Sequence, residues 1–404
     1  MSAVDSQSRI LSGMRPTGRL HLGHYHGVLK NWLTLQHEYE CFFFVADWHA
    51  LTTHYEDPAS IEENVWEMVI DWLAAGVNPG SATLFIQSKV PEHAELNLLL
   101  SMITPLSWLE RVPSYKDQQE KLRERDLSTH GFLGYPLLQS ADILLYRAGL
   151  VPVGADQEAH IEITREIARR FNHLYGREPG FEDNAEAAIR KMGKKTGTLY
   201  RNLRRAYLEK GDDEALETAR ALLKEQSNIT LGDQERLFGY LEGTGKVILP
   251  EPQALLAPQA RMPGLDGQKM SKSYGNTITL REEPDDITSK IRKMPTDPAR
   301  QRRNDPGEPE KCPVWQLHKV YSDEERQNWV QEGCRNAGIG CLDCKKPVID
   351  ACQAELEPIR MEAMELERNQ DVVKNIIAEG CEQARDEAQD TLRDVRDAIG
   401  IDYR

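Results

Sequence analysis

The sequence predicts an α/β protein: a parallel sheet with covering helices, followed by a long helical region. Three observations predict it. Short apolar runs alternate with amphipathic helical stretches over the first part of the chain. One run, 41–46 (CFFFVA), is continuous, as expected of a strand buried on both faces. From 346 to 400, apolar residues recur every three or four positions.

Taken in order, residues 10–14 read as a strand and 23–37 as a helix. After strand 41–46, Asp57-Pro58 opens a helix, an N-cap followed by proline at the first helical position. Its stripe is Ile61, Val65, Met68, Val69, Trp72 and Leu73. Residues 83–87 are the next strand. Residues 135–169 are mostly helical, interrupted by a loop at 151–156. The charged, helical stretch 179–246 reads as an insertion between Asn172 and Leu249. The C-terminal seam is Val373, Ile377, Cys381, Ala384, Ala388, Leu392, Val395 and Ile399. The predicted parts are therefore 1–178, the insertion 179–246, a sheet-domain continuation 247–285, and a helical domain 286–404.

The chain has 404 residues, 40% of them apolar, which suits a soluble protein of two or three domains. No apolar run spans a membrane, and residues 1–9 are polar, so a cytoplasmic protein without membrane contact is expected. A net charge of −15 argues against a generic nucleic-acid binder. Local basic patches such as 189–210 leave RNA contact open, although a solvated helix face is the commoner meaning of such a run. Seven cysteines, an odd count, argue against a disulfide framework.

Two signatures carry the chemistry. His21-Leu22-Gly23-His24 lies where a strand gives way to a helix, and Lys269-Met270-Ser271-Lys272-Ser273 lies on a glycine-flanked loop. At a helix start, backbone N–H groups favour anions, and two imidazoles can donate to phosphate oxygens. Gly23 lets a nucleotide approach the backbone. Lys269 and Lys272 are suited to the β- and γ-phosphates in the transition state. Together the signatures predict an ATP-dependent enzyme that forms an adenylate. A small-molecule nucleotidyltransferase also uses a His-x-Gly-His helix start, but the lysine loop and the helical C-terminal region argue against it.

Six ordered segments, 12–27, 46–52, 83–96, 134–146, 151–172 and 263–278, resemble bacterial tryptophanyl-tRNA synthetase, a class I aminoacyl-tRNA synthetase. The resemblance implies a homodimer with a Rossmann-like catalytic domain and a helical anticodon-binding domain. It implies L-tryptophan, ATP with Mg2+ and tRNA(Trp) as substrates. It carries ATP contact to Arg15, Pro16, Thr17, Gly23, His24, Lys116, Gly154, Ala155, Asp156, Met262, Lys269, Met270, Ser271, Lys272 and Ser273. It makes Asp142 the acceptor for the indole N–H, the ring's only hydrogen-bonding group. From the residues alone, a helix-start cap is the commoner role for such an aspartate. Leu11, Gly13, His49, Tyr135, Gln139, Ile143, Val151, Val153 and Gln157 line the rest of the implied pocket. Many family members have methionine at the position of Gln139 and glutamine at that of Arg15. An amide near the indole keeps a tyrosine-specific enzyme of the same subclass as the alternative.

Cys312, Cys334, Cys341 and Cys344 are spaced C-x21-C-x6-C-x2-C. Only one close pair is present where structural zinc sites usually show two, and irregular spacing suits a [4Fe–4S] cluster as well. A minority of the family carries such a cluster, so the resemblance ranks [4Fe–4S] ahead of Zn2+ and of unligated core cysteines.

Overall fold

The computed structural model describes residues 9–112, 129–154, 157–176, 180–243, 245–256 and 262–403. Five strands form one sheet in the order β3-β2-β1-β4-β5. They are β1 (Arg9–Met14), β2 (Glu40–Val45), β3 (Ala82–Ile86), β4 (Leu150–Val153) and β5 (Gln253–Leu256). β2 and β3 run parallel in the register Phe43 opposite Leu84, and β1 pairs parallel with β4 through Ile10 and Leu150. All but the first residue of β2 is buried, the signature of a strand covered on both faces.

The chain divides into two compact units. One comprises Gly13–Ile86 and Leu256–Gly380. In it Trp32 stacks on Phe43 at 4.1 Å and meets Trp72 edge-on at 5.1 Å, an aromatic core behind β2. Helix Ile61–Ala74 packs on the long helix Cys341–Arg368. The other unit comprises Met1–Ser12, Gln87–Leu255 and Cys381–Arg404. Its helix His130–Leu145 packs on both Glu92–Ser101 and Glu158–Tyr175. Helices Phe181–Lys191, Lys194–Lys210, Asp213–Lys224 and Leu231–Leu241 enclose their own core around Tyr200, Leu223 and Leu237.

Several local expectations are corrected. The helix expected over 23–37 is broken: a short turn Leu22–His24 runs into a π-helical turn Tyr25–Leu29 before Lys30–Leu35. His26 is buried in that turn, with Nε2 3.0 Å from Glu355. Asp57-Pro58 does not open a helix; the Ile61 N–H closes a turn on the Pro58 carbonyl, and the helix starts at Ile61. The loop expected at 151–156 begins as β4. Asp142 lies near the end of helix His130–Leu145, so it caps no helix start. Among the described residues no helix is long and apolar enough to cross a membrane.

Candidate active site

His21 is the extended residue before the first helical turn, and its Nδ1 accepts from the Gly23 N–H at 3.1 Å. His24 Nδ1 in turn accepts from the His21 N–H at 3.4 Å. The rings stack, with centroids 3.8 Å apart. An Nδ1 that accepts from backbone places the neutral ring's proton on Nε2. Burial lowers both imidazoles, His21 to about 4 and His24 to about 3, and the neighbouring Lys272 adds to the shift. The pair is thus neutral at pH 7, and each ring keeps an Nε2–H donor for an incoming oxygen.

The lysine loop reaches this turn through backbone pairing. The Leu22 N–H donates to the Ile278 carbonyl at 3.0 Å, and the Leu280 N–H to the Leu20 carbonyl at 2.9 Å. Met270 is buried, and its Cβ lies 3.4 Å from where a side chain at Gly23 would begin. Lys272 Nζ donates to the Thr17 carbonyl at 2.6 Å. Desolvation lowers this ammonium to about 8. Lys269 is exposed. Gly18 stands at φ +91°, a conformation that favours glycine.

Asn276, which the sequence did not single out, holds the loop. It is buried; its Oδ1 accepts from the Ser271 N–H at 2.7 Å, and its Nδ2 donates to Asp266 at 2.7 Å and the Lys269 carbonyl at 3.1 Å. Of the other residues expected near ATP, Pro16 and Met262 are buried, whereas Arg15 and Thr17 are exposed. Gly154 directly follows β4, and Lys116, Ala155 and Asp156 lie outside the described residues.

Asp142 belongs to the other unit and is buried. Its Oδ1 accepts from Gln87 Nε2 and stands against His93 Nδ1, each at 2.7 Å. Tyr135, Ile143, Val151, Val153 and Leu11 are buried in the same unit, and Gln157 is half-buried. Gln139 Oε1 lies 2.6 Å from His160 Nδ1, so this amide has a partner within the fold. His160 Nε2 is 3.4 Å from the Tyr135 hydroxyl. Gly13 and His49 belong to the first unit, where a side chain at Gly13 would run into the Phe44 ring.

Three of the four expected thiols sit at helix starts. Cys312 precedes helix Pro313–Tyr321, and Cys341 and Cys344 lie in the opening turn of Cys341–Arg368. Burial pushes the Cys344 thiol up to about 12, with Cys312, Cys334 and Cys341 all contributing, so the four are electrostatic neighbours. Arg300 Nη1 approaches Cys334 Sγ at 3.6 Å, and His318 Nε2 approaches Cys344 Sγ at 3.4 Å. The side chains nevertheless do not close a coordination shell: among the described residues, no three His, Cys, Asp or Glu converge to hold a metal ion.

The family described as tRNA synthetases class I (W and Y) matches residues 4–198 and 218–357. The tryptophan–tRNA ligase of Ralstonia nicotianae is 67% identical, over 98% of this chain and 99% of the relative. That of Thermotoga maritima is 44% identical, over 97% and 99%. The crystal structure of Campylobacter jejuni tryptophanyl-tRNA synthetase complexed with ADP and tryptophan superposes with a TM-score of 0.73 at 28% identity, covering 97% of this chain and 99% of that one. With its paired histidines and its lysine loop assembled on one unit, the chain belongs to the class I tRNA synthetases of the tryptophan and tyrosine group.

Proposed function

We propose that the chain activates L-tryptophan with Mg-ATP and transfers the tryptophanyl group to tRNA(Trp). The observation that carries this is the stacked, neutral His21–His24 pair backbone-paired to the segment that follows the Lys269–Ser273 loop. In the first step the tryptophan carboxylate oxygen attacks the α-phosphorus. The bond from that phosphorus to the bridging oxygen breaks, and pyrophosphate leaves with the electron pair. His21 and His24 donate from Nε2 to phosphate oxygens, while Lys269 and Lys272 neutralise charge growing on the leaving group. A hydroxyl of the terminal tRNA ribose then attacks the carbonyl carbon of the adenylate and gives up its proton; the bond from that carbon to the phosphate oxygen breaks, and AMP leaves with the electron pair. Asp142 accepts from the indole N–H. Tryptophan is favoured over tyrosine by the ligases above, and the engagement of Gln139 by His160 supports it.

Amino-acid-dependent ATP–pyrophosphate exchange tests the reading. Exchange with tryptophan and not tyrosine is expected, followed by charging of tRNA(Trp). Exchange with tyrosine alone would overturn the substrate assignment.

The same reading extends to three further features. Cys312, Cys334, Cys341 and Cys344 would be the residues to hold a [4Fe–4S] cluster, with Zn2+ as the alternative; their mutual proximity supports this, though they do not form a closed shell. Such a centre would cross-link the starts of two helices. Anaerobic purification with iron and sulfide analysis decides between the two. The chain forms a homodimer; Leu98, Met102 and Leu106, at 55%, 70% and 58% exposure, offer an apolar surface for a second copy. The four-helix stretch is an insertion, consistent with its separate core and with the unmatched residues 199–217. A cytoplasmic location is consistent with these substrates.

A further inference from the structure

We propose that His93 is a positioning residue: it fixes the orientation of the Asp142 carboxylate and thereby sets discrimination for the indole N–H. The inference rests on the assignment of Asp142 as indole acceptor.

Asp142 and His93 are 1% and 0% exposed. Three elements meet at the carboxylate. Asp142 comes from helix His130–Leu145, His93 from helix Glu92–Ser101, and Gln87 from the turn that follows β3. Gln87 Nε2 and His93 Nδ1 both stand 2.7 Å from the same oxygen, Oδ1. Two partners fixed on one oxygen from different directions stop the carboxylate from rotating about its Cβ–Cγ bond. The direction of the other oxygen's lone pairs is thereby set. An indole N–H lies in the ring plane and must meet such a lone pair nearly head-on. A rotation that loses this alignment loses the hydrogen bond while leaving the apolar contacts to the ring in place.

The tautomer of His93 is set from both sides. His93 Nε2 lies 2.8 Å from the Tyr146 hydroxyl. Nδ1 faces a carboxylate oxygen, which can only accept, so in the neutral ring Nε2 is the accepting nitrogen and the Tyr146 hydroxyl, kept protonated by burial, donates to it. Nδ1 then carries the ring proton and donates to Asp142. The chain Tyr146–His93–Asp142 thus points its donors one way, toward the carboxylate. Nothing in the nucleotide chemistry uses His93 or Tyr146, and a histidine on an apolar helix reads from sequence as ordinary core.

The experiment compares two substrates in pyrophosphate exchange: tryptophan, and its analogue in which sulfur replaces the ring N–H. The quantity read is the ratio of their kcat/KM values. A site that hydrogen-bonds a substrate N–H penalises the analogue strongly. In His93→Leu the ratio is expected to fall by about tenfold or more, through a raised KM for tryptophan. In His93→Asn, whose amide N–H replaces Nδ1–H, most of the ratio should return. Tyr146→Phe leaves His93 in place and frees its tautomer, so it reads the proposal even if His93→Leu fails to fold; a partial fall is expected there. A merely structural histidine would slow both substrates equally, and an unchanged ratio in His93→Leu or, failing that, in Tyr146→Phe would overturn the proposal. Asp142→Ala, which removes both acceptor oxygens, is the separate control. If it leaves the ratio at the parent value, the assignment of Asp142 itself has failed. If it collapses the ratio and the His93 and Tyr146 variants do not, only the role of His93 has failed.

Discussion

Lys272 is tied to the chain around the paired histidines: its ammonium donates to the Thr17 carbonyl at 2.6 Å. That carbonyl sits one residue before Gly18, where an added Cβ would lie 3.4 Å from the same Nζ. Desolvation has lowered the ammonium to about 8, which still leaves it charged at pH 7, and an incoming phosphate is a better partner for that charge than a neutral carbonyl. Lys272→Met is therefore expected to lower the adenylation kcat by about 10²–10³-fold, with a smaller effect on KM for ATP. Single-turnover formation of the adenylate measures this, and an unchanged rate would remove the lysine from the chemistry.

The two histidines predict a pH dependence of stability. Burial holds His21 and His24 at about 4 and about 3, below the usual value for an unfolded chain. Between pH 6.5 and 4 the unfolded state therefore binds more protons than the folded one, and stability rises with pH through that window. It is fully present above about pH 6.5 and is lost as the pH falls toward the folded values. The His21→Asn/His24→Asn double variant should lose this part of the slope. Denaturant midpoints of both proteins from pH 7 to 4.5 provide the check. Parallel curves would show that the pair is not held neutral by the fold.

Where backbone pattern alone decides, the sequence was readable. The strands expected at 10–14, 41–46 and 83–87 are found at Arg9–Met14, Glu40–Val45 and Ala82–Ile86. The seam residues Val373, Ile377, Ala384, Ala388, Leu392 and Val395 are buried as their spacing predicts. His21 and His24, three residues apart, also bring their rings onto one face, as helical spacing dictates. What could not be read depends on partners distant in the chain. Gln87 and His93 reach Asp142 across 55 and 49 residues, and no local pattern encodes that meeting. The π-helical turn is likewise invisible, because its buried His26 answers to Glu355, 329 residues away.

Arg281 offers a stability prediction with its own control. Its side chain is 4% exposed and meets three carboxylates, Glu67 and Glu367 at 2.5 Å and Asp71 at 2.7 Å. Asp71 also accepts from the Leu20 N–H at 2.6 Å, on the strand-to-helix segment that carries His21. Burial raises Asp71 to about 6 despite the guanidinium, so it tolerates loss of that cation poorly. Arg281→Met should cost about 3–5 kcal/mol, the range for breaking a buried pair. Adding Asp71→Asn to that variant should recover part of the loss, since the stranded charge is gone. A double variant as unstable as the sum of the two single changes would show that the residues are not coupled.

The last prediction separates the shape of the lysine loop from its charge. Asn276 is 3% exposed and uses both ends of its amide, accepting from Ser271 and donating to Asp266 and the Lys269 carbonyl. Those bonds fold residues 266–276 into one turn that holds Lys269 and Lys272 within a single span. Asn276→Asp keeps size and acceptor but loses the donor, and it sets a second carboxylate against Asp266, whose pKa the Asn276 bond holds down. Both lysines remain, yet their spacing is no longer enforced. Adenylation should fall by about 10²-fold through kcat, the scale for slight misplacement of a positioned group. The melting temperature should fall too, because a carboxylate is costly at this buried position, so kcat is compared well below it. Raising the pH from 6 to 8 should not restore the rate, since the second carboxylate only becomes more fully charged. A variant with parental kcat would mean that the lysines find their places on ATP without this turn.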